Sequence, residues 1–138
     1  MKSLDLAKEK LLVNNHSLVV VKDYKVIHKS DEKGLAPILS CYQEDRSIFD
    51  GASIADKVIG KAAGLILIES NIKELYAELI SDRAIEILDQ ANISYEYNKR
   101  VPEIRNRDNT GMCPMEELAL DSSSADELVE KIKEKFSK

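Results

Sequence analysis

Tryptophan is missing from this 138-residue chain, and the aromatic residues together make up only 5% of it. That is too few for a base-stacking platform that holds single-stranded nucleic acid. Only two cysteines, Cys41 and Cys113, are present, far apart and without a Cys-x-x-Cys partner. This excludes a disulfide framework and a closed cysteine-rich zinc site and points to a reducing compartment. Positive charge is in deficit: 25 acidic against 20 basic residues leave a net charge of -5. A protein that coats nucleic acid or an anionic membrane is therefore disfavoured, local basic patches aside. Long apolar runs are lacking too. The opening MKSLDLAKEK carries charge throughout, unlike the core of a secretory leader, and no later stretch approaches a membrane span, so a cytoplasmic protein is expected.

What is there, 43% apolar and 33% charged residues, describes one soluble globular domain over residues 1–138. Folding such a chain hides roughly 15,000 Å², about two-thirds of its extended surface, enough for one core.

Periodicity organises the chain. Leu4, Ala7, Leu11 and Leu12 predict an amphipathic helix over residues 3–14. Leu18 to Val21 and Val26 to His28 read as a hairpin turning at Asp23-Tyr24. A short helix over 35–42 and a polar loop over 43–51 follow. Ile54, Ala55, Val58, Ile59, Ala62 and Ala63 fit helical spacing from Ala52, with Gly64 ending the helix and Leu65 to Ile68 forming a buried strand. Leu75, Ala77 and Leu79 alternate as a neighbouring strand, Ser81 caps a helix buried through Ala84, Ile85 and Leu88, and Ile93, Tyr95 and Tyr97 mark a fifth strand. Residues 101–111 predict a functional or wrapping loop, and a short helix follows Cys113. The capping box Ser124 to Glu127 opens a last helix with Leu128, Val129, Ile132 and Phe136 on its apolar face.

Two clusters could carry chemistry. In the first, the glycine entry at Gly51 leads into the expected helix, whose free amides would attract an anion, with Lys57 and Lys61 as clamps and Asp56 as an acid or base. It is no Walker loop, because Asp56 and Val58 stand where that motif needs a second Gly and a Ser or Thr. An ordinary amphipathic helix with solvated charges accounts for the same residues. The second cluster gathers three of the five arginines, Arg100, Arg105 and Arg107, with Asn106 and Cys113-Pro114-Met115-Glu116. Arginine forks suit phosphate or carboxylate oxygens, and Asn106 could read a polar edge. Cys113 before a helix-starting Pro114 would have an activated thiol, with Glu116 as a cap or base. A buried Cys113 with Met115 in the core is the plainer alternative, since neither His16 nor His28 is linked to it as a base. Both histidines read as structural residues rather than metal ligands.

The stretch from Ala55 to Ala63, the pair Asn106-Arg107 and Cys113-Pro114-Met115-Glu116 resemble an uncharacterised prokaryotic domain family of the cytidine-deaminase-like fold, over nearly the whole chain. The resemblance implies an α/β fold, three-layer α/β/α with a mixed sheet of about five strands. Zinc deaminases carry His or Cys followed by Ala-Glu at one helix start and Pro-Cys-x-x-Cys at the next. Placing Ile54-Ala55-Asp56 at the first motif and Ile80 to Ala84 at the second leaves Ile54, Ser81 and Ala84 at the zinc positions. None of these is a ligand, so no metal or other cofactor and no zinc-dependent deamination is expected; Asp56 alone keeps acid where the proton-shuttling Glu would stand.

The expectation is thus a zinc-less deaminase-like scaffold that binds a small anionic or nucleotide-like ligand. One alternative is a metal-independent enzyme in which Asp56 is acid or base, Cys113 the nucleophile, and Lys57, Lys61, Asn106, Arg107 and Glu116 hold the substrate. A noncatalytic regulatory or protein-interaction module is the other. A homo-oligomer is compatible with each, whereas nucleic acid and membrane partners are not expected.

Overall fold

In a computed structural model, which describes residues 2–106 and 108–136 apart from the Phe136 side chain, helix α1 (Ser3–Val13) leads into the hairpin of β1 (Leu18–Lys22) and β2 (Lys25–Ser30). The turn forms without glycine. Asp23 and Tyr24 both adopt left-handed backbone, with φ of 49° and 61°, the pair of conformations that a two-residue hairpin loop requires. Helix α2 (Ala36–Asp45), with Pro37 in its first turn, runs past the expected 42, and Arg46–Phe49 form a 3₁₀ turn where a loop was expected. Then come β3 (Ser53–Ile59), α3 (Lys61–Glu69), β4 (Glu74–Ser81), α4 (Asp82–Gln90), β5 (Ser94–Val101), α5 (Pro114–Leu120) and α6 (Ala125–Phe136). Ser81 caps α4 as expected, its Oγ accepting from Ala84 N at 3.1 Å. Ser124 Oγ accepts from Glu127 N at 3.2 Å, but the Glu127 carboxylate turns back to Ser123 rather than to Ser124.

Residues 52–68 reverse the expectation. The expected helix is strand β3, and the expected strand Leu65 to Ile68 lies inside helix α3. Ser53 to Asp56 are buried without alternation because β3 is a central strand covered on both faces. Helix α3 is apolar on nearly every side because other helices surround it. A short apolar run carries no period that separates these cases. Gly64 does not end the helix but sits within it, where an added Cβ would lie 2.8 Å from Ile87 Cδ1. Its lack of a side chain lets α4 press against α3.

The sheet order is β2-β1-β3-β4-β5, with β1 antiparallel to both neighbours and β3, β4 and β5 parallel. The β3-α3-β4 and β4-α4-β5 crossovers put their helices on one face, joined there by α2, α5 and α6 over a core that includes Leu18, Ile54, Ile66, Leu75, Ala77 and Leu88. The opposite face is covered by α1, whose Leu4, Ala7 and Leu11 meet Val19, Val21, Ala55 and Tyr76. This is the three-layer mixed sheet of five strands that the sequence resemblance implies. Because α1 packs this second core by itself, Leu11→Ala should cost about 2–5 kcal/mol, read as a lower midpoint in urea denaturation; a loss below 1 kcal/mol, on that same scale, would mean that α1 is not anchored there.

Candidate functional site

The start of α3 is the most polar place in the helical layer. Gly60 precedes the helix, and the first two amides, Lys61 N and Ala62 N, donate to Glu116 Oε1 and Oε2 at 2.7 and 2.8 Å. Glu116 lies in the first turn of α5, so one helix caps another with a carboxylate at the positive end of its dipole. The approach is so close that a Cβ on Gly60 would lie 2.2–2.8 Å from the Glu116 carboxyl atoms. Burial pushes the Glu116 pKa up, against the opposing pull of the Ala62 and Lys61 amides and the Arg83 and Lys61 charges. The segment before α5 is tied down by an isolated bridge between Arg105 and Met112 and by Cys113 N donating to Ile104 O at 2.9 Å.

The other expected site residues are dispersed by this geometry. Asp56 lies in a strand, so it cannot share a helix face with Lys57 and Lys61. Its ladder partners Leu18 and Ala77 put it on the helix-rich side, only 5% exposed, where Oδ1 accepts from Val58 N at 3.1 Å. Burial lifts its pKa from 3.8 to about 8, with the Val58 and Lys57 amides pulling the other way. Lys57 emerges on the α1 side, its Nζ donating to Asn15 Oδ1 at 2.7 Å. Asn106 is spent on its own turn, bonding Thr110 Oγ1 at 3.1 Å and Thr110 N at 3.0 Å. Arg107 lies outside the described residues. Cys113 is half-buried at the N-cap of α5, but its side chain makes no capping bond. Asp56 and Cys113 share a side of the sheet, yet no hydrogen bond joins them among the described residues. His16 Nδ1 and Asp31 Oδ1 lie 2.6 Å apart, a structural pairing.

The zinc alignment fails at its first motif, since Ile54-Ala55-Asp56 is no helix start. The starts of α2, α3 and α4, Leu35 to Pro37, Gly60 to Ala63 and Ser81 to Ala84, contain neither His nor Cys, the thiol at the α5 start, Cys113, has no second Cys or His beside it in that start, and among the described residues no group of three His, Cys, Asp or Glu is placed to hold a metal ion. Zinc chemistry does not fit these residues.

Beside the capped helix start, a cavity of about 540 Å³ opens between α3, α4 and the turn joining α5 to α6, lined among others by Lys61, Leu65, Arg83, Glu86, Ile87 and Asp121. The volume lies within the range of small-molecule sites. Lys61 belongs to the expected set, and its Nζ donates to Leu120 O at 3.2 Å. Arg83 was not singled out as a lining residue, although its signal is visible: residues 83, 86, 87 and 90 follow helical spacing opposite the buried stripe of 84, 85 and 88.

Glu116→Gln should cost about 1–3 kcal/mol, because an amide supplies only one acceptor for two N–H donors. Gly60→Ala should cost a similar amount by displacing Glu116, and in a double-mutant cycle Gly60→Ala should be nearly free once Glu116 is Ala; additive losses would refute the cap. Asp56 supplies a pH test. The folded chain holds a proton between pH 3.8 and about 8 that the unfolded chain has released. Stability should therefore fall across that window by up to ~1.4 kcal/mol per pH unit and level off above it. In Asp56→Asn that decline should flatten, leaving the variant the more stable protein above about pH 8 in denaturant titrations.

A solved DUF1893 family protein from Thermotoga maritima matches 96% of this chain over 89% of its own at 26% identity, with a TM-score of 0.86. Two deaminases match at lower similarity. A diaminohydroxyphosphoribosylaminopyrimidine deaminase/5-amino-6-(5-phosphoribosylamino)uracil reductase, also from Thermotoga maritima, is 19% identical, with 69% of this chain and 34% of that one covered and a TM-score of 0.45. The dCMP deaminase of cyanophage S-TIM5 is 14% identical, with 68% and 92% covered and a TM-score of 0.44. No curated protein matches the chain. The family model for the domain of unknown function DUF1893 matches residues 6–136, so the chain belongs to the DUF1893 family.

Proposed function

We propose that this protein is a zinc-independent binding module whose small ligand, carrying an anionic group, occupies the cavity between α3, α4 and the α5–α6 turn. The observation that carries the reading is Arg83: it lines the cavity, and its guanidinium, though its charge acts on Glu116, has no hydrogen bond or ion pair among the described residues. A guanidinium in a half-enclosed site beside a lysine ammonium is a ready partner for carboxylate or phosphate oxygens. The α3 amides do not compete for that anion, since Glu116 already occupies both. Asp56 and Cys113 carry no step in this reading. Nucleotides and phosphorylated or carboxylated metabolites all fall within its range.

A thermal-shift screen against nucleoside monophosphates, sugar phosphates, inorganic phosphate and small carboxylic acids tests it. At about a hundred times its dissociation constant, a ligand should add roughly 2.7 kcal/mol and raise the melting temperature by several degrees. Arg83→Ala should remove the shift and Lys61→Ala reduce it. A panel without any shift, or a shift untouched by Arg83→Ala, would overturn the site.

A further inference from the structure

We infer that the ligand of this cavity is a small zwitterion of the amino-acid or dipeptide type, its carboxylate held by Arg83 and Lys61 and its ammonium by Glu86 and Asp121. The inference rests on the binding reading above and narrows it. The charged groups lining the cavity balance, two cations against two anions, and both cations also act on the buried Glu116 carboxylate. A bare phosphate or a nucleotide polyanion would meet the two carboxylates as like charges, a cost that grows as the site excludes water. The four groups do not satisfy one another either. Arg83 and Glu86 stand three residues apart on α4, a spacing at which opposite charges commonly pair, yet no ion pair joins them. Lys61 turns its ammonium to the Leu120 carbonyl oxygen, and the Asp121 carboxylate has no partner among the described residues. Leu65 and Ile87 line the same cavity, an apolar surface that suits an aliphatic or aromatic side chain. Opposite charges that form no ion pair with one another, in a cavity that also has apolar lining, match a molecule that carries both charges and an apolar body.

The test is isothermal titration of the full chain with leucine, phenylalanine and leucyl-leucine, each beside its N-acetyl form, which lacks the ammonium, and its C-terminal amide, which lacks the carboxylate. Inorganic phosphate and AMP serve as anion-only probes. At least one free zwitterion should bind, with both blocked forms at least tenfold weaker. Arg83→Ala should abolish that binding. Glu86→Gln should weaken the free form at least tenfold while leaving the N-acetyl form unchanged or tighter. Circular dichroism should show both variants folded, because Glu86 is exposed and Arg83 half-buried. If phosphate, AMP or the N-acetyl forms bind as tightly as the zwitterions and Glu86→Gln tightens them, the zwitterion falls while the anion site stands. If neither zwitterions nor anions bind, both fall.

Discussion

The contact on which the helical layer depends is the Glu116 carboxylate on the first amides of α3. A helix start leaves several backbone donors without partners, and in a packed interior each costs free energy unless something accepts from it. Here the acceptor comes from α5, more than fifty residues along the chain. This fixes where α5 lies relative to α3 and, through the turn after α5, where α6 begins. It explains why Gly60 has no side chain, since even a methyl group would collide with the cap. It also explains how a buried carboxylate is tolerated, with two amides and the nearby Lys61 and Arg83 charges offsetting the desolvation that raises its pKa.

That contact also decides what the start of α3 holds. The starts of α2, α3 and α4 carry no thiol or imidazole, the Cys113 thiol at the α5 start has no Cys or His beside it in that start, and the α3 start is filled by the chain's own anion. Lys61 and Arg83, whose charges act on Glu116, also line the neighbouring cavity together with Glu86 and Asp121. In the proposed division of work, Glu116 holds the fold and the cavity beside it takes the ligand.

Much of the fold was legible because it rests on local signals. Leu4, Ala7 and Leu11 mark α1, the hairpin is visible in its β-rich arms, Ser81 announces α4, and Ser124 announces α6. The stretch around β3 and α3 was misread for a physical reason. A strand buried on both faces and a helix buried all round each lose the polar alternation by which periodicity tells them apart. That error carried into the site. With 52–63 taken as a helix, Asp56, Lys57 and Lys61 formed one exposed face, whereas the sheet sends Asp56 into the core and Lys57 to the α1 side. Glu116 was recognised as a capping residue, but for its own helix. That it caps α3 instead follows from tertiary packing, which spacing within a single segment does not encode. Arg83 was overlooked for the converse reason: its stripe on α4 looks like any solvated helix face until α3 and the α5–α6 turn close a cavity around it.

The central claim is that the α3 amides are occupied by Glu116 and that external anions meet the protein elsewhere. An NMR titration of the Lys61 and Ala62 backbone amides tests it most directly. Lowering the pH should move both resonances together in one step centred above 4.5, the ordinary Glu value, as the carboxylate takes up its proton. Adding inorganic phosphate at neutral pH should leave both unmoved. If phosphate shifts these amides, or if they titrate independently of each other, Glu116 is not their fixed partner and the account fails.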